Sequence, residues 1–183
     1  MKYFLMVLCT IGIIGFVQGQ VGIRAGLSSS NITNSNVNAR LGMHGGAYYR
    51  LELGFFALEP GIEFSQKGFR GNDRNTGKVL FERFNYVDAP LLIRFNFFPE
   101  INLFVGPQMS WLMSREFELD GLVNTNMENL PETEIGGVGG IGIHLPYGLN
   151  VQASFGVAKN DLADLYPNRK NKVFKLSLGF DFF

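Results

Sequence analysis

Cysteine is almost missing from this chain: Cys9 is the single one among 183 residues, and it lies in the apolar opening stretch. A disulfide scaffold, thiolate catalysis and a cysteine-based zinc site are therefore excluded as the business of the remainder. Charge of one sign is also missing, since 16 basic residues face 16 acidic ones. No electrostatic case for binding nucleic acid follows from such a balance. Histidine occurs twice, as His44 and His144, which leaves few groups suited to acid–base work near neutral pH. Finally, beyond the first twenty residues no apolar run approaches the length of a membrane-spanning helix. If the chain enters a membrane after that point, it must do so as strands.

The opening MKYFLMVLCTIGIIGFVQGQ places Lys2 before an apolar stretch from Tyr3 to Val17 and ends in small and polar residues around Gly19. This is the layout of a secretory signal peptide, expected over 1–19, with the working domain over 20–183. A transmembrane anchor fits less well, because the run is short and no basic cluster follows it. Without Lys2 the remainder carries 15 basic and 16 acidic residues, a formal charge of 15 − 16 = −1.

What the sequence has in quantity is glycine, phenylalanine and a period of two, which argues for an all-β chain. Eight segments alternate. In YVDAPLLIRFNF, Val87, Ala89, Leu91, Ile93, Phe95 and Phe97 share one face, opposite Tyr86, Asp88, Pro90, Leu92, Arg94 and Asn96. In VGIRAGLSS, Val21, Ile23, Ala25 and Leu27 oppose Gly22, Arg24, Gly26 and Ser28; in LNVQASFGVA, Leu149, Val151, Ala153, Phe155 and Val157 oppose Asn150, Gln152 and Ser154. The other five, RLGMHGGAYYRL, FFALEPGIEFSQKG, INLFVGPQMSWLMS, TEIGGVGGIGIHL and VFKLSLGFDF, follow the same rule. One parity is apolar, and the other holds glycine, hydroxyls, amides and charges.

Connections alternate strictly as well. ELG, PEI and PYG are tight turns, whereas SSNITNSNVNA, FRGNDRNTGKVLFE, REFELDGLVNTNMENLPE and KNDLADLYPNRKN are long and polar. These features predict a closed, antiparallel, eight-stranded transmembrane up-and-down β-barrel in the cell outer membrane, its apolar parity facing lipid and its polar parity facing a narrow lumen. Closure is required because an open edge would leave backbone groups unpaired in hydrocarbon. Aromatic residues near strand ends suit two interfacial girdles: Phe55, Phe56, Phe97, Phe98, Tyr147, Phe182 and Phe183 at the turn end, and Phe69, Phe84, Tyr86, Trp111 and Phe117 at the loop end. The competing fold is a soluble lipocalin-like barrel with the apolar parity turned inward around a ligand.

NYVDAPLLIRFNF followed by FVGPQMSWLMS resembles the hallmark of the PorT family of outer-membrane β-barrels of Bacteroidetes-type bacteria. There a tyrosine, an acidic residue and a proline followed by leucines precede a Gly-Pro-Gln strand. ALEPGIEFSQKG resembles the family's preceding strand and GIRAGLSSSN its first. The resemblance implies a Gram-negative outer-membrane location, an accessory part in type IX protein export, and bulges at Pro60, Pro90 and Pro107. The family's last strand stops on a lipid-facing aromatic, which in this register is Phe182, with Phe183 one residue beyond.

Arg24, Arg50, Glu59, Glu63, Lys67, Asp88, Arg94, Lys175 and Asp181 fall on the inward parity. Acids on the third segment are expected to pair with bases on its neighbours, because an unpaired charge in a water-poor lumen is costly. This is read as a structural charge network, with no catalytic, cofactor-binding or metal-binding residue assigned. Glu59 and Glu63 are too far apart along one strand, roughly 13 Å, to form a carboxylate pair, and no phosphate-cradling spacing appears. Neither histidine has a serine at the spacing of an outer-membrane deacylase. The favoured function is a non-enzymatic monomeric barrel, structural, binding or secretion-accessory, surrounded by outer-membrane lipid and meeting protein partners through its long loops. An outer-membrane lipid-modifying enzyme and the soluble ligand-binding barrel are the alternatives.

Overall fold

The computed structural model describes residues 18–32, 38–72, 79–119, 122–126, 131–159 and 170–182. The expected signal peptide other than its last two residues, the centres of the long loops and Phe183 lie outside the described residues. The strands are β1 (Gln18–Ile32), β2 (Asn38–Leu53), β3 (Phe56–Asn72), β4 (Val79–Asn96), β5 (Ile101–Leu119), a short β6 (Leu122–Asn124), β7 (Thr133–His144), β8 (Leu149–Ala158) and β9 (Asn171–Phe182). Every neighbouring pair is antiparallel, and the ring closes where β1 meets β9, with Ile23 opposite Phe180. Eight strands make the wall. The ninth, β6, pairs only with the end of β5, so the segment read as a loop from Arg115 carries a short hairpin.

The expected parity holds around the wall. Leu27, Ile62 and Leu178 are each about 60% exposed, while Arg50, Glu59 and Arg94 are buried to 2% or less. A surface this apolar needs hydrocarbon around it, and a soluble barrel with its apolar face inward is ruled out by the same numbers. Along β4 the lipid-facing run from Val87 to Phe97 extends roughly 33 Å at the usual rise, which the tilt of barrel strands reduces to about the 25 Å apolar band of outer-membrane barrels.

Turn chemistry fixes the short end. Tyr147 and Gly148 both have positive φ, 65° and 78°, the sign pattern of a primed hairpin turn that matches the strand twist. Gly54 has φ 82° at the turn between β2 and β3. Phe55, Phe97, Phe98, Tyr147 and Phe182 are exposed around this end, as a girdle requires. The loop-end girdle differs from expectation. Phe69, Phe84 and Tyr86 point inward and pack together as a lumen plug, leaving Trp111 exposed on the outer wall.

The prolines do not mark bulges. Register is unchanged across them, with Pro60 opposite Leu91 and Glu63 opposite Asp88. Shifts occur instead in β2 against β3 between Ala39 and His44, and in β4 against β5 between Asn85 and Tyr86. The second shift inserts one residue into β5, so the faces exchange beyond it: Arg115 turns inward to Glu82, and Glu116 turns outward to Arg83.

Candidate functional site: the charged lumen

The lumen is narrow enough that side chains reach across it, and glycine makes the room. A Cβ on Gly22 would run into the Tyr48 ring, and one on Gly140 into Phe104 and the facing backbone. Large inward groups thus sit opposite residues with no side chain.

At the turn end everything converges on Glu59 of β3. Arg50 of β2 donates through Nε at 2.9 Å, Arg94 of β4 through Nε at 2.6 Å and Nη2 at 2.7 Å, and Arg24 of β1 through Nη2 at 2.9 Å. Three guanidinium groups surround one carboxylate. Their excess charge and spare donors are taken up nearby: Arg94 also bonds Asn102 and Gln152, and Arg50 reaches Asp181 at 3.2 Å. Asp181 in turn accepts from Tyr48 and Asn150. Arg24 stacks over the Tyr48 ring, 4.2 Å from its centre, and Arg94 over Phe104 at 4.6 Å.

Nearer the loops the centre is Asp88 of β4. It takes Lys67 at 3.1 Å, Lys175 at 3.1 Å and the Ser65 hydroxyl at 2.7 Å. Lys175 also holds Glu63 at 2.9 Å from across the barrel. Lys67 lies 3.7 Å from Glu134, which accepts from Tyr86 and Asn171. Arg24 touches Glu63 at 3.5 Å as well as Glu59, so the two acids four residues apart are joined through one guanidinium and the two clusters form one network.

Strand parity alone places Arg24, Arg50, Glu59, Glu63, Lys67, Asp88, Arg94, Lys175 and Asp181 inward, and the structure joins these nine in one network of contacts. The partners lie only partly on adjacent strands. Arg24 is two strands from Glu59, and Lys175 faces Glu63 across the lumen. Sequence reasoning missed Glu134 and the Glu82–Arg115 pair at 2.6 Å. Parity would have found Glu134, on the same face as Val138 and Gly140; the β5 bulge hides Arg115.

The histidines separate. His144 sits 3.8 Å from Asp181. His44 reaches across Gly26, which is opposite both residues in the ladder, so that His44 Nε2 meets Ser177 Oγ at 2.8 Å. This is a base beside a hydroxyl, which spacing did not foresee. His44 and Ser177 are both buried in the lumen, and His44 Nδ1 finds no hydrogen-bond partner among the described residues, so no third group orients the ring. Among the described residues no cluster of three or more potential metal ligands occurs.

Between the clusters and the aromatic plug lies a cavity of about 30 Å3, bordered by Lys67, Ser110, Glu134 and Lys175, which is room for a water molecule. A second, beside Glu63 and Lys175, is about 10 Å3.

Comparison with known proteins agrees with this architecture. Residues 16–164 match the model of a family described as outer membrane protein beta-barrel domain. Among solved structures, Neisserial surface protein A superimposes with a TM-score of 0.59 at 8% identity, covering 90% of this chain and 97% of that one. Ail, the attachment invasion locus protein of Yersinia pestis, solved with the heparin analogue sucrose octasulfate, gives 0.55 at 13% identity, covering 90% and 99%. Ail in a phospholipid bilayer nanodisc gives 0.52 at 16%, covering 90% and 100%. No curated protein matches the sequence. At these identities the neighbours speak for fold alone, but the family match spans most of the chain: this protein belongs to the outer membrane β-barrel domain family and is an outer-membrane protein.

Proposed function

We propose that this barrel is a non-enzymatic, rigid platform whose work is done at its loop end, as a binding or secretion-accessory protein of the PorT type. The observation that supports this reading is the filled lumen. Two charge clusters and an aromatic plug occupy it, and the two cavities described among its residues are of water size, so the geometry suits a scaffold better than a conduit. The wall is also unequal: β3, β4 and β5 run 17, 18 and 19 residues, against 12, 10 and 12 for β7, β8 and β9. About 9–11 residues cross the bilayer. The excess on one side raises a β-sheet beyond the membrane, on the side where outer-membrane barrels carry their long loops outside the cell. The reading includes cleavage of residues 1–19 on export, a monomeric barrel, and protein partners for the loops.

Capture of envelope proteins by the tagged barrel on intact cells tests the platform, and the export of type IX cargo by a deletion strain tests the accessory role. Unchanged export would remove the PorT-type assignment while leaving the platform standing. The lipid-enzyme reading draws on the His44–Ser177 contact. Both groups are sealed inside the wall, away from acyl chains. Lipid A from cells carrying H44A and S177A should match that from cells with the unaltered chain; a change in its acylation would restore the enzyme.

A further inference from the structure

Outside the wall, just above the apolar band, the two register shifts create a second charged feature that the lumen network does not use. Arg40 on β2, Arg83 on β4 and Glu116 on β5, together with Phe81 and Glu118, line an open hollow of about 260 Å3. Arg83 is opposite Gly68 of β3, which has no side chain, so nothing on β3 stands between Arg40 and Arg83. Arg70 lies over the Phe81 ring at 4.8 Å and borders the same patch. Three guanidinium groups and two carboxylates leave a net charge of 3 − 2 = +1. Arg83 Nη1 holds Glu116 at 3.0 Å, yet Arg83 Nε and Arg40 Nη1 are shielded from solvent and find no acceptor among the described residues.

Height decides what could supply that acceptor. The unbroken apolar run on the outer face of β4 ends at Val87, before Asn85, and Arg83 lies four positions beyond Val87, about 13 Å along the strand and roughly 10 Å higher after tilt. That is the headgroup layer, and a flexible arginine can lower its charge further toward it. On β2, Leu41 and Met43 follow Arg40 toward the turn end, are 74% and 63% exposed, and offer acyl chains an apolar surface beside it. A phosphate presents oxygens that match guanidinium donors, and sugar hydroxyls suit the carboxylates.

We infer that this hollow is a binding site for a phosphorylated glycolipid of the outer leaflet, its phosphate held by Arg40 and Arg83, its sugar hydroxyls by Glu118, and its chains by the apolar band. The site goes beyond the platform reading and stands if that reading fails.

Trp111, the one tryptophan of the chain, is opposite Val87 on the outer wall and is a built-in reporter. The full barrel is placed in phosphatidylcholine bilayers containing a minor fraction of lipid A with brominated chains. Quenching of Trp111 should exceed that by brominated phosphatidylcholine at the same fraction by roughly tenfold, the size of one charge-assisted contact. Dephosphorylated brominated lipid A, or the R40Q/R83Q double variant, should bring the ratio to about one. Equal quenching by the phosphorylated and dephosphorylated lipids overturns the proposal. So does full enrichment around a double variant that keeps heat-modifiable migration. Inorganic phosphate in the buffer should not displace the lipid, and displacement would make the site one for free anions. The dephosphorylated comparison uses the unaltered chain, so it decides even where the double variant fails to assemble.

Discussion

Glu59 and Asp88 are both acids of the lumen, both almost wholly buried, and both surrounded by bases, yet their surroundings are built differently. Around Glu59 the bases are three arginines with planar donor forks: Arg50 and Arg24 each reach a second acid, Asp181 and Glu63, whereas Arg94 has only the amides of Asn102 and Gln152 besides Glu59. Around Asp88 they are two lysines, each shared with another carboxylate, plus a serine hydroxyl. In the first arrangement Arg94 has no acid but Glu59, and the other two arginines make their shorter contacts to it. In the second, each base has an alternative partner. Removing a member from a buried ion cluster is costly because the remaining charges stay desolvated, and that cost grows with the number left without a partner.

Glu59→Gln should therefore be the most damaging change, lowering stability by about 3–5 kcal/mol, because three guanidiniums would converge on a neutral amide. Urea unfolding in lipid vesicles, followed by Trp111 fluorescence, measures it. Arg94→Lys keeps the charge but cannot reproduce the two contacts to Glu59 together with those to Asn102 and Gln152, and should cost about 2 kcal/mol. Asp88→Asn should cost less than either, about 1–2 kcal/mol, since Lys175 retains Glu63 and Lys67 retains Glu134. If Asp88→Asn proved as harmful as Glu59→Gln, the sharing of lysines between acids would have no energetic meaning and the contrast between the clusters would collapse.

Much of this was legible because a membrane barrel writes its architecture in alternation. Arg24, Glu59, Asp88 and Lys175 could be assigned to the lumen from parity alone, and the alternation of short and long connections ordered the strands. Pairing across the lumen could not be read, because it depends on how the closed ring places β9 against β3, and no local pattern encodes that. Position near strand ends alone points to a girdle role for Phe69, Phe84 and Tyr86. Their parity, shared with Lys67 and Asp88, was the better signal, and it fails only past a bulge. Arg115 and Glu116 lie past one, and the inserted residue in β5 exchanged their faces with nothing in the alternation to announce it.

The outer charge pair sharpens the contrast from its weak end. Arg83 and Glu116 are 3.0 Å apart, as close as many lumen pairs, but their side chains are 41% and 48% exposed. Solvent screens such a pair, so Glu116→Gln should change stability by no more than about 1 kcal/mol in the same urea titration. The same distance in the lumen carries several times that consequence because water is absent there. If Glu116→Gln matched the loss from Asp88→Asn, burial would not be what separates the two, and the headgroup layer around Arg83 would have to be as dry as the lumen. A small loss leaves Arg83 folded in place with its guanidinium released from one acid, the condition in which a lipid phosphate should bind it more tightly than in the unaltered chain.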